Sequence, residues 1–259
     1  MPEKRVEVLG AGIDALGWDE TLAHIAGWAG ARESRYVTLC NVHSVVTATR
    51  NPDFARAIEQ ADLALPDGAP IAWAMRKLGV AGQSRISGPD LMWRCLAMAE
   101  ARGQTVYFYG STMPTLQKLV AQIERHFPRL TIGGGIAPPF GPISAEDDAI
   151  DLEFINRTGA HIVFVGLGCP KQEQWMAEHR GRVHAVMIGV GAAFDFHAGT
   201  RKRAPLWWRE HGLEWFYRLC SEPRRLFARY LVTNTLFILG ITRQLLAAGT
   251  SRLWHSEQS

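Results

Sequence analysis

Several short motifs that mark common enzyme classes are missing from this 259-residue chain. It has no Gly-x-x-x-x-Gly-Lys-Ser/Thr loop, which excludes a P-loop nucleotidase, and no Gly-x-Ser-x-Gly elbow of an α/β-hydrolase. The four cysteines form no Cys-x-x-Cys pair, and the nine histidines lack metal-ligand spacing. An Asp-x-Asp pair, which grips the cation of a nucleoside diphosphate, is also absent. We therefore expect no cofactor, metal-independent chemistry and a reducing compartment.

Long apolar runs are scarce as well. No apolar run follows Met1, so a secretory signal is not predicted. The apolar segment Leu231–Ile241 has 11 residues, whereas a membrane span needs about 20. Residues 1–200 carry 18 basic and 21 acidic side chains, but residues 201–259 carry 10 and 4, with four of the nine tryptophans. This basic, aromatic tail favours contact with a membrane surface over contact with nucleic acid, because its charges are few and the body is slightly acidic.

Strand-like and helix-like patterns alternate along the chain. This order predicts an α/β fold, with a Rossmann-like, mainly parallel sheet and helices on both faces. The predicted strands are Val6–Leu9, Tyr36–Leu39, Leu63–Leu65, Thr105–Tyr109, Ile162–Val165 and Val183–Ile188. The predicted helices lie near Glu20–Ala31, Asp53–Ala61, Ala69–Leu78, Asp90–Arg102, Pro114–Phe127 and Glu146–Thr158.

Two units are expected along the chain. Residues 1–200 form the catalytic core, and residues 201–259 form a helical appendage that associates with the membrane. The glycine- and proline-rich segment Gly133–Pro142 is predicted to be either a mobile loop or a boundary between two halves of the core.

The most informative stretch is Val163–Trp175. It reads as a buried strand, a tight glycine turn and a helix that starts near Pro170, at the first helical position. Exposed N–H groups and the positive end of a helix favour a bound phosphate there, although an ordinary strand-to-helix turn has the same pattern. The candidate binding residues are Gly166, Gly168, Pro170, Lys171, Gln172 and Glu173.

Other candidates follow from the rule that such sheets bind ligands beyond the carboxyl ends of their strands. Asp67 follows the third predicted strand, where a carboxylate can act as a general base, although Pro-Asp-Gly also suits a plain turn. Asn41 begins a polar segment that equally suits a helix cap. Gly110 is a second glycine turn, and Asp195 is a candidate for sugar hydroxyls or a cap. Arg85 precedes a helix start and either adds charge to an anion site or is solvated.

Six segments in this order resemble the WecG/TagA/CpsF family of glycosyltransferases over nearly the whole chain. They contain Val37–Asn41, Pro66–Gly68, Arg85–Gly88, Gly166–Glu173, Gly189–Asp195 and Arg203–Arg225. The resemblance implies inverting transfer of a sugar from a UDP-sugar to a polyprenyl-diphosphate-linked saccharide, at the inner face of the bacterial cytoplasmic membrane. Members build teichoic acid linkages, enterobacterial common antigen, capsules and exopolysaccharides such as xanthan.

The resemblance also implies roles for single residues. Asp67 matches the proposed base, Gln172 and Asp195 match contacts to the nucleotide sugar, and Arg218 and Arg225 match arginines that reach the acceptor diphosphate. One donor contact falls on either Thr38 or Asn41, because the spacing differs here. The chain also has Ala228 where many relatives have an arginine.

Two other functions are compatible with the residues alone. One is a nucleotide-sugar-binding protein without catalysis. The other is an NAD-linked oxidoreductase, because Gly10-Ala-Gly12 mimics a dinucleotide fingerprint, but Asn41 stands where that fingerprint needs an acid. The apolar residues near Leu231–Leu246 suit burial in a second copy of the chain as well as contact with lipid, so a homo-oligomer is also retained.

Overall fold

The computed structural model describes residues 5–256, with side chains to residue 248. A short antiparallel hairpin precedes a six-stranded sheet in which every pairing is parallel. The strands are β1 (Arg5–Val8), β2 (Ala11–Asp14), β3 (Arg35–Cys40), β4 (Leu63–Pro66), β5 (Thr105–Gly110), β6 (Thr131–Ile136), β7 (Ile162–Gly166) and β8 (Val186–Gly189).

The six-stranded sheet has the order β4-β3-β8-β7-β5-β6. Its inner strands are mostly apolar because helices cover both faces. Successive side chains of β5 illustrate this: Val106 and Phe108 enter one hydrophobic cluster, while Tyr107 and Tyr109 enter another on the opposite face. The predicted α/β fold with a mainly parallel sheet is therefore confirmed.

Helices fill both faces. One face is covered by α1, α5, α6 and α9, and the other by α7 and α8. Among the described residues the helices are α1 (Trp18–Gly30), α2 (Val42–Ala48), α3 (Pro52–Glu59), α4 (Ala69–Lys77), α5 (Gly88–Ala101), α6 (Met113–His126), α7 (Ala145–Arg157), α8 (Lys171–His179), α9 (Ala193–His197), α10 (Leu206–Glu210), α11 (Glu214–Ser221) and α12 (Pro223–Ser256).

The edge strand β6 and the hairpin of β1 and β2 differ from the sequence prediction. Residues 133–136 belong to the edge strand β6 rather than to a loop; three glycines hide the strand, because they supply no apolar alternation. The segment Gly10-Ala-Gly12 lies in the hairpin of β1 and β2, where Leu9 and Gly10 both have positive φ, as a two-residue turn requires. No helix follows this turn directly, so its likeness to a dinucleotide fingerprint has no structural basis.

Residues 206–256 are mostly helical, and the last helix is longer than its apolar run predicted. Pro223–Ala248 is long and apolar enough to cross a membrane by length and composition, which alone is weak evidence for a span. One side of α12 is docked instead: Phe237 and Ile241 are buried in a cluster with the β1–β2 hairpin and α2. Gln244 accepts from the Leu9 N–H and donates to the Glu7 carbonyl. The division into a core and an appendage stays a prediction.

Candidate active site

A cavity of about 1020 Å³ lies at the carboxyl edge of the sheet. The loops after β3, β4, β5, β7 and β8 form its floor, and residues of α11 and α12 form a wall. A cleft at this edge is expected in an open parallel sheet, because the strand-to-helix loops diverge there. The basic tail thus contributes directly to the pocket.

Asp67 lies on the floor, immediately after β4. Its backbone N–H donates to the Cys40 carbonyl at 2.9 Å, which fixes the residue beside the end of β3. Asn41 caps α2 and donates from Nδ2 to the Asp67 carboxylate at 3.5 Å. The pKa of Asp67 is raised to about 6, first by desolvation in the cleft and then by the negative charge of Glu214. A carboxyl group with this pKa is ionised at neutral pH and accepts a proton more readily than an ordinary aspartate.

The loop after β7 brings two buried polar side chains to the cavity. Gln172 accepts from the Gly168 N–H at 3.2 Å through Oε1 and donates to Glu173 at 2.8 Å through Nε2. Burial raises the pKa of Glu173 to about 7, and the Glu173 Oε2 has no hydrogen-bond partner within residues 5–248. Because the N–H groups of Gly168 and Gln172 already donate within the loop, this turn offers fewer free donors to a phosphate than its sequence predicts.

Arginines from the tail line the opposite wall. Arg218 lies over the Phe196 ring at 5.8 Å, and it has no carboxylate partner in the described part of the chain. Arg225 pairs with Glu222 at 2.6 Å. Arg229 also reaches the cavity, and its Nε is buried without a partner among the described residues. This wall can therefore accept a strongly anionic group.

Asp195 lies on the floor at the start of α9. Its carboxylate is 3.5 Å from the Arg201 Nε, and the Thr200 hydroxyl donates to it at 3.3 Å. Arg201 in turn contacts Glu222 at 3.4 Å, which joins the floor to the tail.

The cavity collects ten of the fourteen residues predicted for the site. They are Asn41, Asp67, Arg85, Gly166, Gly168, Gln172, Glu173, Asp195, Arg218 and Arg225. Four others do not line it. Thr38 is buried in β3 beside Glu173, and Lys171 is exposed at the start of α8. Of the alternatives Thr38 and Asn41, the cavity is lined by Asn41.

The remaining two predicted residues, Gly110 and Pro170, have structural roles outside the cavity. Gly110 ends β5 against Gly166, too close for a side chain. Pro170 follows a cis peptide bond and is the N-cap of α8, not its first residue as predicted, because the helix begins at Lys171.

Several cavity residues, Arg201 among them, were not assigned to the site from the sequence. His43 and Glu214 reach it from α2 and α11, Arg229 reaches it from α12, and Phe140 is an almost fully exposed aromatic ring at its edge. Two of them have a sequence signal: His43 follows Asn41 at a strand end, and Arg229 stands directly before Tyr230 and next to Ala228. Glu214 and Phe140 reach the cavity through tertiary packing that no local pattern records.

Comparison with known proteins identifies the family. The model of the glycosyl transferase WecG/TagA/CpsF family matches residues 6–251. The chain belongs to this family. It is therefore an enzyme that transfers a sugar, and the two other functions that the residues allowed are not supported.

Its curated relatives agree with this assignment. The chain is 31% identical over 191 residues to the N-acetylglucosaminyldiphosphoundecaprenol N-acetyl-beta-D-mannosaminyltransferase of Bacillus spizizenii, which covers 73% of this chain and 72% of the relative. It is 28% identical over 225 residues to the enzyme with the same name from Staphylococcus aureus strain MW2. This match covers 86% of this chain and 87% of that relative.

Proposed function

We propose that this glycosyl transferase moves a sugar from a UDP-sugar to a polyprenyl-diphosphate-linked saccharide, with inversion at the anomeric carbon. The cavity carries the proposal, because it holds a carboxylate of raised pKa on its floor and arginines on its wall. The name of the two relatives, which specifies a diphosphoundecaprenol acceptor, supports a lipid-linked substrate.

In this mechanism Asp67 is the general base. As the acceptor hydroxyl attacks the anomeric carbon, its proton passes to the Asp67 carboxylate and the bond to the UDP oxygen breaks. The Asn41 amide keeps that carboxylate oriented from the side of β3. A base pKa of about 6 suits this role, since the group is mostly ionised at pH 7 yet accepts a proton more readily than an ordinary carboxylate.

The donor lies along the loop Gly166–Gln172 and Asp195. The developing charge on the diphosphate is stabilised by the positive end of α8, a helix of nine residues. The Asp195 carboxylate accepts hydrogen bonds from the sugar or ribose hydroxyls. The Gln172 amide, held by Gly168 and Glu173, contacts the transferred sugar in a fixed orientation.

The acceptor diphosphate binds at the tail wall. Arg218 and Arg229 have no carboxylate partners within the described residues, so both guanidinium groups are available for bidentate contacts to phosphate. Arg225 joins them after exchanging its contact with Glu222 for the phosphate. In this arrangement Arg229 contributes a cation near the place where the sequence lacks one at residue 228.

The tail also places the enzyme on the inner membrane surface as a peripheral protein. The side of α12 that faces away from the core exposes Phe227, Leu231, Val232, Ile238, Leu239 and Leu246. Trp207 and Trp215 are exposed on the neighbouring helices. Such a face suits burial at the boundary between head groups and acyl chains, and the basic residues add attraction to anionic lipids.

The reaction can be tested by product analysis. Wild-type protein is incubated with a panel of UDP-sugars and with polyprenyl-diphosphate-linked N-acetylglucosamine or glucose, with EDTA present. We expect one UDP-sugar to give a lipid-linked product extended by one sugar, with inverted anomeric configuration by NMR. Absence of a product with every UDP-sugar, when another nucleotide sugar gives one, would contradict the proposed donor.

The base can be tested by substitution. Asp67→Asn keeps the size of the side chain but removes its ability to take a proton, so we expect kcat to fall by about 10²–10⁴-fold. UDP affinity, measured by calorimetry, should change little. Asp19→Asn is the matched control, because Asp19 is exposed in the first turn of α1. Near-normal turnover by Asp67→Asn would rule out this base.

A further inference from the structure

One acidic side chain of the tail points into the cavity among the arginines. Glu214, the first residue of α11, is 18% exposed at its side chain. Its Oε2 is 3.1 Å from the Arg85 Nη1, and its Oε1 is 3.7 Å from the Arg203 Nε. Arg203 is itself held by two 2.7 Å contacts to Asp90. Glu214 thus joins the tail to the loop before α5 through a half-buried ion-pair network.

The same carboxylate lines the cavity together with Asp67, and its negative charge acts on the Asp67 carboxyl group. Three charged groups act on Asp67 from the elements around it: Arg85 from the loop before α5, and Glu214 and Arg218 from α11; Asn41 adds a hydrogen bond from the start of α2. Arg85, Arg218 and the hydrogen bond from Asn41 each lower the pKa of Asp67. Glu214 raises this pKa, and its effect is larger than the effect of any one of those three groups. Without Glu214, the balance of charges at the floor would favour a weaker base.

We infer that Glu214 is a positioning residue for the transfer reaction, which holds Arg85 away from Asp67 and supplies the negative charge that keeps Asp67 a competent base. This inference rests on the proposed function of Asp67. The tail then has a second role, because besides cations for the diphosphate it brings a carboxylate that completes the chemistry on the floor.

The electrostatic reason is the pairing of Arg85. A guanidinium group that is bound to Glu214 is largely neutralised, so its attraction for the Asp67 carboxylate is reduced. If Glu214 is replaced by a neutral residue, Arg85 keeps its full charge and is free to turn towards Asp67. Both changes stabilise ionised Asp67 and make it a poorer proton acceptor.

The test is a direct titration of Asp67 in the full-length protein. Aspartate carboxyl carbons are labelled with ¹³C, the Asp67 signal is assigned by its loss in Asp67→Asn, and its chemical shift is followed from pH 4 to pH 9. In wild type we expect a midpoint near pH 6. In Glu214→Gln we expect the midpoint to fall by roughly one pH unit. The acid limb of kcat/KM should move in the same direction.

Two further variants make the result decisive. Glu210→Gln removes an equal charge from an exposed residue of α10 and should leave the midpoint in place. Glu214→Asp keeps the charge but shortens the side chain, so we expect a smaller downward shift of the Asp67 midpoint. This variant replaces Glu214→Gln in the test if Glu214→Gln does not fold. A purely structural role would lower the melting temperature without moving the titration.

The two proposals fail in different ways. An unchanged Asp67 midpoint in folded Glu214→Gln or Glu214→Asp would overturn the role of Glu214, even if wild type transfers sugar normally. A wild-type protein without any transfer activity would overturn the proposed function, while the titration still decides whether Glu214 controls the Asp67 charge.

Discussion

Glu173 is the most deeply buried carboxyl group at the cavity, with a 1% exposed residue surface. One oxygen accepts from Gln172, while the other has no partner among the described residues. Its pKa of about 7, which is raised by burial, means that it is mostly protonated in slightly acidic solution. A buried carboxyl group in this state costs the fold little until it ionises.

Glu173 should therefore make the stability of the fold depend on pH. The pKa of Glu173 is higher in the folded state than in the unfolded state. The stability that comes from the protonated Glu173 is therefore complete below about pH 4.5 and is lost as pH rises through about 7. Glu173→Gln should match wild type near pH 4.5 but exceed its free energy of unfolding at pH 8 by about 1–3 kcal/mol. Urea unfolding of both proteins at several pH values measures this difference.

Glu178→Gln provides the control, because Glu178 is exposed on the same helix. Its effect should not vary between pH 4.5 and pH 8. If Glu173→Gln changed the free energy of unfolding equally at all pH values, the buried charge of Glu173 would not be what destabilises the fold at high pH.

Single site residues were predictable where they follow a strand. Asn41, Asp67 and Asp195 were found from the rule that ligands bind at the carboxyl edge, and all three line the cavity. Glu214 and Phe140 were not found, because their place depends on how the tail and the β6–α7 loop fold back over the sheet. A sequence pattern reports neighbours along the chain, whereas these contacts join distant segments.

At the scale of elements, β5 and β7 approach each other closely at their ends. Gly110 has φ +124°, and a Cβ there would lie 2.6 Å from the Gly166 carbonyl carbon. This contact is too short for any side chain, and the backbone conformation disfavours one as well. The close approach brings the two turns that follow these strands together at one side of the cavity.

Gly110→Ala should therefore destabilise the sheet. Strain and the collision together predict a loss of about 2–4 kcal/mol in the free energy of unfolding. Gly103→Ala is the matched control: φ is +63° just before β5, and no heavy atom lies within 4 Å of its Cβ, so only about 1 kcal/mol is expected. Equal losses in chemical denaturation would contradict the role of the close approach.

The sequence predicted elements well where apolar residues form a clear run. All six predicted strands are found, and each of the six predicted helical segments contains a helix. It failed at β6, whose glycines have no side chains to alternate, and at the full length of α12, whose polar and basic residues interrupt the apolar run. Pairing with β5 and docking on α2 supply the stability that local sequence does not show.

At the scale of the whole molecule, α12 has two apolar sides. Phe237 and Ile241 pack into the protein, while Leu231, Leu239 and Leu246 are more than half exposed. Exposed leucines in such a row are costly in water and favourable in a bilayer interface. We expect this outer side, with the basic tail, to set membrane affinity.

Replacing Leu231 and Leu239 together by Gln should weaken binding to anionic vesicles by about tenfold or more, because each loses apolar area that the interface would bury. Co-sedimentation at low and high salt measures the partition. Ile150→Gln with Phe154→Gln is the control, since both residues are exposed on α7, away from the tail. Equal losses in the two double variants would contradict the assigned surface.

Ile238 belongs to both surfaces, because it lines the cavity and is 60% exposed on the outer side of α12. On the proposed membrane placement, the pocket opens sideways along this helix towards the lipid. An acceptor would then arrive by lateral diffusion within one leaflet and leave the same way, without desorbing its polyprenyl chain. Turnover would follow the mole fraction of acceptor in the bilayer rather than its concentration in the whole solution, and diluting the vesicles with plain phospholipid would slow the enzyme at constant total acceptor.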